Sequence, residues 1–77
     1  MKSINVAIER ARRRKRLGPP EVRRLLREQA GLTQIELAEA IGVTRATVGR
    51  WESGARNPSR RVVDRYLEVL ERLRDAS

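Results

Sequence analysis

The sequence predicts an all-α protein, a bundle of four helices preceded by a basic N-terminal arm or helix. Three observations predict this fold. Apolar residues recur at helical spacing in successive segments, a capping box opens one of these segments, and glycine or proline separates each segment from the next. The first such break, at Gly18, divides the chain into a basic arm over residues 1–18 and a folded domain over residues 19–77.

The N-terminal arm carries most of the positive charge. Residues 1–20 hold seven basic residues against one carboxylate, a net charge of +6 out of a total of +8. Residues 10–16 read RARRRKR, and such a run repels itself, so we expect it to be poorly ordered until an anionic partner neutralises it. The candidate binding residues of this arm are its clustered cations, Arg10, Arg12, Arg13, Arg14, Lys15 and Arg16. The alternative is a solvated tail that only aids solubility.

The segment before this run and the linker after it carry separate signals. Ile4, Val6 and Ile8 alternate like a short strand, but Ile4, Ile8 and Ala11 also fit one face of a helix, which is the interpretation we favour. The Gly-Pro-Pro linker at residues 18–20 breaks any helix that arrives from the arm, and proline suits the first turn of a new helix. The folded domain therefore begins there.

The first helix of the domain is interpreted as scaffold. Val22, Leu25 and Leu26 form an apolar stripe, and Ala30 and Gly31 end the helix. We expect its polar side chains to point outward, namely Arg23, Arg24 and Glu28.

The next two helices are short and are separated by a single tight joint. Thr33, followed three residues later by Glu36, is a capping box that starts a helix. Gly42 supplies a left-handed stop, and Thr44 caps a second helix that Gly54 ends. The apolar residues that recur on one face are Leu37, Ala38 and Ile41 in the first helix and Val48 and Trp51 in the second. Neither helix is long enough to be stable alone, so both must pack against their neighbours. The pattern is that of a helix-turn-helix.

The second of these helices presents a basic, small and flat outer face. Because an α-helix turns by about 100° per residue, this face lies opposite the apolar one. It consists of Arg45, Ala46, Gly49, Arg50 and Ser53. Arginine can bond a guanine edge through two hydrogen bonds or hold phosphates, Ala46 and threonine methyl groups can contact a thymine methyl, and Gly49 permits close backbone approach. The alternative is a solvated helix face that happens to hold two arginines.

The segment after Gly54 is a turn followed by a long helix. Asn57, or Ser59 after the proline, is available to cap this last helix, which we place at about residues 59–74. Its apolar side chains form two adjoining stripes, Val63, Leu67 and Leu70 on one and Val62, Tyr66, Val69 and Leu73 on the other. So wide a face exceeds what one neighbour needs, and the excess can meet either the N-terminal segment or a second subunit.

The helix-turn-helix resembles that of the Cro and lambda-repressor-like (XRE) family. The residues that carry the resemblance are Gln34, Leu37, Ala38, Ile41, Gly42, Val43, Val48, Trp51, Glu52 and Gly54. It extends to Leu32 and to the connection ESGARNPS, which is similar to the family pattern E-x-G-x-x-x-P, and it covers roughly residues 21–73. The resemblance implies a lambda-repressor-like bundle with double-stranded DNA as its partner.

The resemblance also implies roles for individual residues. Arg27 sits where many family members pair an arginine with the glutamate that follows the recognition helix, here Glu52, so we expect a structural ion pair. The alternative is an exposed pair worth under about 1 kcal/mol. In the family, the connection after the recognition helix lies along the DNA backbone. The expected backbone contacts are Gln34, Ser53, Arg56, Asn57, Arg60 and Arg61. Such contacts fix the register and carry no sequence information.

Base readout is expected from the recognition helix, whose N-terminal end enters the major groove in this family. The expected base-reading residues are Thr44, Arg45, Ala46, Thr47 and Arg50. We therefore expect a sequence-specific transcriptional regulator, a repressor or Cro-like switch from a bacterium or phage, that acts by occupying an operator. If it forms a homodimer through the last helix or the N-terminal segment, the operator should be a pseudo-palindrome with half-sites about one helical turn apart.

The composition excludes several other classes of protein. With no cysteine and no histidine, the sequence has no disulfide framework, no thiolate or imidazole metal site and no Cys-His or Ser-His-Asp nucleophile. We expect no enzyme activity, no cofactor, no metal and no small-molecule ligand. No apolar run approaches the roughly 18 residues of a membrane span, so we expect no membrane partner and a cytoplasmic location, at the nucleoid or, for a phage protein, in the host.

Two other functions compete with this expectation. The basic arm could drive sequence-tolerant binding of nucleic acid, in which case affinity would depend mainly on residues 1–18. The last helix and residues 4–8 could instead dock a protein such as a toxin, as in an antitoxin-type module, which predicts little DNA affinity at physiological salt. Preference for one DNA site over others distinguishes the regulator from both.

Overall fold

The computed structural model describes residues 2–76, and in that range it has five α-helices and no strand. The helices are α1 (Lys2–Leu17), α2 (Pro20–Gln29), α3 (Gln34–Ile41), α4 (Arg45–Ser53) and α5 (Arg60–Ala76). The all-α prediction is confirmed, and the basic N-terminal segment is a helix. The last helix, α5, contacts α1, α2 and α3, while α4 packs against α2 and α3.

The short helices α3 and α4 form as their caps predict. Glu36 N donates to Thr33 Oγ1 at 3.1 Å, and Thr33 N donates to Glu36 Oε1 at 2.9 Å, which completes the capping box. Gly42 ends α3 with φ at 88°, in the left-handed region that residues with a Cβ rarely adopt. The chain therefore reverses within residues 42–44 and enters α4.

The core is built from apolar side chains of α1, α3, α4 and α5. The buried members are Leu17, Leu37, Ala38, Ile41, Val48, Trp51, Val63, Tyr66, Leu67 and Leu70. Trp51 of α4 stacks on Tyr66 of α5 with the ring centroids 4.8 Å apart. Aromatic pairs of this kind bury a large apolar area, so the stack helps to hold α4 on the bundle.

The packed face of α2 differs from the predicted one. Val22 and Leu25, predicted to lie on a packed stripe, are 41% and 51% exposed, and only Leu26 packs against the core. Arg23, predicted to point outward, is 3% exposed and lies on the buried face together with Arg27. The prediction was wrong because it ranked side chains by polarity. A guanidinium group with five donors can be buried where acceptors meet it.

The basic run for which poor order was expected lies within the helix α1 and has partners inside the protein. Leu17 lies in the core, Arg13 Nε is 3.2 Å from Asp64 Oδ1, and Arg16 Nη2 is 2.6 Å from Glu71 Oε1. Both carboxylates belong to α5. They supply part of the negative charge that we expected an external anionic partner to provide. By packing on α5, α1 also covers part of the wide apolar face of that helix.

Candidate nucleic-acid interface

The helix α4 buries one side and exposes the other. Its buried residues are Val48, Trp51 and Glu52. Its exposed residues are Arg45, Ala46, Arg50 and Ser53, with Thr47 and Gly49 partly exposed. Glu52 is the single carboxylate of this helix, so the exposed side carries only positive charge.

The exposed side of α4 begins at its capped N-terminus. Thr44 Oγ1 accepts a hydrogen bond from Thr47 N at 3.2 Å, and the two threonine hydroxyls are 2.8 Å apart. The cap fixes the first turn, which includes Arg45 and Ala46, and the positive end of the helix dipole lies there. The predicted base-reading residues of this turn therefore occupy an exposed and electropositive helix end.

A network centred on Glu52 fixes the buried side of α4. Arg27 Nε and Nη2 donate to the two carboxylate oxygens of Glu52 at 2.7 and 2.9 Å, and Gln34 Nε2 donates to Oε1 at 3.1 Å. The Arg27 and Glu52 side chains are only 9% and 2% exposed. The hydrogen bond to Glu52 raises the pKa of Arg27, although burial acts in the opposite direction. The network ties α4 to both α2 and α3.

A second buried arginine holds the C-terminal end of α4. Arg23 of α2 donates to Trp51 O at 3.0 Å, to the phenol oxygen of Tyr66 at 3.2 Å and to Gly18 O. A cation near the last carbonyls of a helix also interacts favourably with the helix dipole. The sequence did not predict this role. The signal that could have found it is the four-residue spacing from Arg27, which places both side chains on one face of α2.

Two surface grooves border the exposed side of α4. The first groove lies between α4 and the start of α3, and its lining includes Arg24, Arg27, Gln34, Ile35, Arg45, Gly49, Glu52 and Ser53. The second lies between α4 and its connection to α5, and its lining includes Thr47, Arg50, Arg56, Asn57 and Arg61. Each groove therefore brings cations and at least one side-chain amide beside α4.

A third groove lies between α1 and the start of α5. Its solvent-accessible cations are Arg10, Arg13, Arg14 and Arg60. Asn57 lines both this groove and the second one, so the two grooves adjoin. The remaining cations of the basic run lie elsewhere. Arg12 is 3.8 Å from Glu9 within α1, Arg16 pairs with α5, and Lys15 is exposed.

The helix-turn-helix family model matches residues 24–74 of this chain, from within α2 to near the end of α5. The chain belongs to the XRE family of helix-turn-helix proteins. In this XRE-family protein the helix-turn-helix is formed by α3 and α4, and α4 occupies the position of the family's recognition helix. Membership of the family supports the general function of a DNA-binding transcription regulator.

An uncharacterised HTH-type transcriptional regulator of Methanothermobacter thermautotrophicus is similar to this XRE-family protein. The two are 46% identical over 46 residues, which cover 60% of this chain and 67% of the relative. No solved structure matches the chain.

Within residues 2–76 no three carboxylate, thiol or imidazole side chains come together as a metal site would require. In the same range no helix combines the length and the hydropathy that crossing a membrane would need.

Proposed function

We propose that this protein is a sequence-specific transcription regulator, a repressor or Cro-like switch, that acts by occupying its operator in double-stranded DNA. The observation that supports the proposal most strongly is the exposed side of α4, which carries only positive charge and lies between two grooves that contain arginine and amide side chains. The one carboxylate in their lining, that of Glu52, is paired with Arg27. In this proposal α4 enters the major groove by its N-terminal end.

The two grooves match what a helix in the major groove meets. The major groove is about 12 Å wide, and the phosphates of both strands border it. A helix that enters it therefore needs anion-binding groups on both of its sides. Gln34 and Ser53 line the groove on one side of α4, and Arg56, Asn57 and Arg61 line the groove on the other. Contacts from these residues would fix the register of α4 and would not read the sequence.

Gln34 is held in place for such a contact before DNA binds. Its amide Nε2 donates to Glu52 at 3.1 Å, which leaves a second N–H of the same amide group for a phosphate. A Cβ added at Gly49 would lie 4.0 Å from that nitrogen, so the Gln34 amide lies beside α4 at this position. Because the side chain is already ordered, less conformational entropy is lost on binding.

Arg45 and Arg50 are the side chains best suited to read bases. Both are exposed, and within residues 2–76 neither has a carboxylate oxygen within 4.0 Å. Each can donate two hydrogen bonds to a guanine edge, while Ala46 and the methyl groups of Thr44 and Thr47 can contact thymine methyl groups. One recognition helix reads few base pairs. A homodimer formed through α5 or α1 would place two such helices on a pseudo-palindromic operator.

Selection of bound DNA from a random-sequence pool tests the proposal. We expect one enriched motif, and a homodimer would make it a pseudo-palindrome with half-sites about one helical turn apart. A bound pool without any enriched motif contradicts sequence-specific regulation.

Substitution of the two predicted reading arginines tests the assignment of residues. We expect Arg45→Ala and Arg50→Ala each to weaken binding to the selected site by about 1–3 kcal/mol and to relax the base preference there. Arg65→Ala is the matched control, because Arg65 is an exposed arginine of α5 that lines none of the three grooves. If the first two variants lose affinity for selected and random DNA equally, these arginines contact phosphates alone.

Two other functions each have one observation in their favour. The accessible cations of α1 favour sequence-tolerant binding of nucleic acid, which predicts no enriched motif. The exposure of Ile4 and Ile8 on α1, at 54% and 43%, favours docking of another protein, as in an antitoxin-type module. That function predicts little affinity for any DNA at physiological salt, so affinity and motif together distinguish the three functions.

A further inference from the structure

We infer that the DNA-binding surface continues from α4 onto α1, and that the third groove binds the phosphate backbone of DNA flanking the bases that α4 reads. This inference rests on the proposed function and extends it to a defined part of the basic helix. It assigns phosphate contacts to Arg10, Arg14 and Arg60. It assigns none to Arg12 and Lys15, the cations on the outer face of α1.

The position of Asn57 shows why the surface is continuous. This residue lines the second groove beside Arg50 and Arg56, and it lines the third groove beside Arg10 and Arg60. A DNA strand is a continuous row of phosphates. If one phosphate contacts the α4–α5 connection near Asn57, the phosphates next to it along that strand approach the third groove.

The charges of the third groove are available to a phosphate. The other arginines of α1 each have a carboxylate partner, Arg12 with Glu9, Arg13 with Asp64 and Arg16 with Glu71. In contrast, no carboxylate oxygen of residues 2–76 lies within 4.0 Å of the guanidinium groups of Arg10, Arg14 or Arg60. Like charges around one groove repel each other, and a phosphate between them would remove that repulsion and accept their hydrogen bonds.

The proposed phosphate contacts of the third groove lie on one side of α4. The third groove adjoins the second groove through Asn57, whereas it shares no lining residue with the first groove, which contains Gln34. The flanking phosphates should therefore matter on one side of each half-site and not on the other.

Two double variants of α1 provide a matched test. Arg10→Gln/Arg14→Gln changes the third groove, and Arg12→Gln/Lys15→Gln changes cations that do not line it. Because a helix turns by about 100° per residue, the second pair lies on the far side of α1 from the first. Both variants remove two positive charges, and glutamine has nearly the helix propensity of arginine, so circular dichroism should show equal helix content.

The salt dependence of binding to the selected site is the first measurement. We expect Arg10→Gln/Arg14→Gln to reduce the slope of log affinity against log salt by about two, because each lost phosphate contact reduces it by about one. Between about 50 and 200 mM salt, its loss of affinity should be about tenfold smaller than that of the wild type. The control variant should change the slope by well under one. Equal slopes for the two variants overturn the inference.

Phosphate ethylation interference is the second measurement. We expect ethylation of phosphates beside the motif, on one side of each half-site, to block binding of the wild type and of the control variant. The same ethylated phosphates should no longer affect Arg10→Gln/Arg14→Gln. Identical interference patterns for all three proteins overturn the inference.

The two proposals can fail separately. Equal slopes together with an enriched motif would overturn the groove assignment and leave the regulator intact. If no motif is enriched, the slopes are measured on random DNA, and a slope reduced only in Arg10→Gln/Arg14→Gln would overturn sequence-specific reading and leave the groove as a phosphate site.

Discussion

The arginines of α2 and those of α1 show two uses of the same side chain in one small protein. Arg23 and Arg27 of α2 are buried, and their guanidinium groups donate to main-chain carbonyls, a phenol and a carboxylate. Arg10 and Arg14 of α1 are exposed and have no carboxylate partner within residues 2–76. The position of acceptors, and not the density of charge along the chain, decides which arginines hold the fold together.

The largest effect within this comparison is expected at Arg27. Arg27→Ala leaves the buried carboxylate of Glu52 without its cation, and breaking a buried pair in this way typically costs about 3–5 kcal/mol. That loss approaches the whole stability of many small domains. Denaturant unfolding measures it. Arg24→Ala is the control on the same helix, since its pair with Glu28 at 3.5 Å is exposed and worth under about 1 kcal/mol. Equal losses in the two variants would remove the contrast between buried and exposed arginines.

Arg23 should have the next largest effect. Arg23→Ala removes the donor to Gly18 O and to the Tyr66 phenol oxygen, and it leaves Trp51 O with only the 3.4 Å hydrogen bond from Gly54 N. We expect a loss of about 2–3 kcal/mol in denaturant unfolding, because buried acceptors without donors keep their desolvation cost. Arg23→Lys should restore little of the loss, since one ammonium group cannot reproduce the planar fork of a guanidinium. Wild-type stability in either variant would show that the buried cation contributes nothing.

The alkaline limit of stability should depend on Tyr66. Burial raises the pKa of this phenol above its ordinary value, although nearby Arg23 lowers it. Below about pH 10 the phenol is protonated in both the folded and the unfolded protein. Above that pH the unfolded chain loses the phenol proton first, so the free energy of unfolding falls as the pH rises. The fall ends once the pH has passed the higher pKa of the folded protein.

Denaturant unfolding between pH 8 and the alkaline range, about pH 11, measures this fall. Tyr66→Phe provides the control, since it removes the titrating group and keeps the ring. The variant should lose the part of the fall that is due to the phenol. Tyr66 is the single tyrosine of the chain, so its absorbance in the folded protein reports the pKa directly. An unshifted titration would contradict the effect of burial.

The smallest effects are expected at the ion pairs that join α1 to α5. Arg13 and Arg16 pair with Asp64 and Glu71 in partly or largely exposed positions, so Arg13→Gln and Arg16→Gln should each cost under about 1 kcal/mol. Amide hydrogen exchange should show faster opening of α1 while α4 keeps its protection. Faster exchange in α4 as well would mean that α1 and the recognition helix open together.

The helices α3 and α4 could be predicted because their signals are local. The capping box at Thr33 and Glu36, and the stops at Gly42 and Gly54, involve residues within a few positions of each other. Such local hydrogen bonds and left-handed glycines need no partner far along the chain. The exposed and buried faces of α4 follow from the same short stretch of sequence, so the candidate reading face was also accessible to prediction.

The burial of Arg23 and the packing of α1 on α5 depend on partners far along the chain. Tyr66 lies 43 residues from Arg23, and Glu71 lies 55 residues from Arg16. Periodicity within α1 or α2 holds no information on such partners. For the same reason, the sequence grouped six cations into one arm, whereas the structure divides them among a groove, the pairs with α5 and the outer face of α1. The roles of all these residues toward DNA stay predictions.

Because Trp51 stacks on Tyr66, spectroscopy can detect whether α4 is packed on the core. Trp51 is the single tryptophan of the chain, is 2% exposed and lies against the single tyrosine. A buried indole emits at shorter wavelength than a hydrated one, so displacement of α4 from the core would shift the emission to the red. Trp51 also lines the second groove, but because it is only 2% exposed, a ligand in that groove should change the emission less than displacement of α4 does. Intrinsic fluorescence can therefore report loss of α4 docking without any label on the protein.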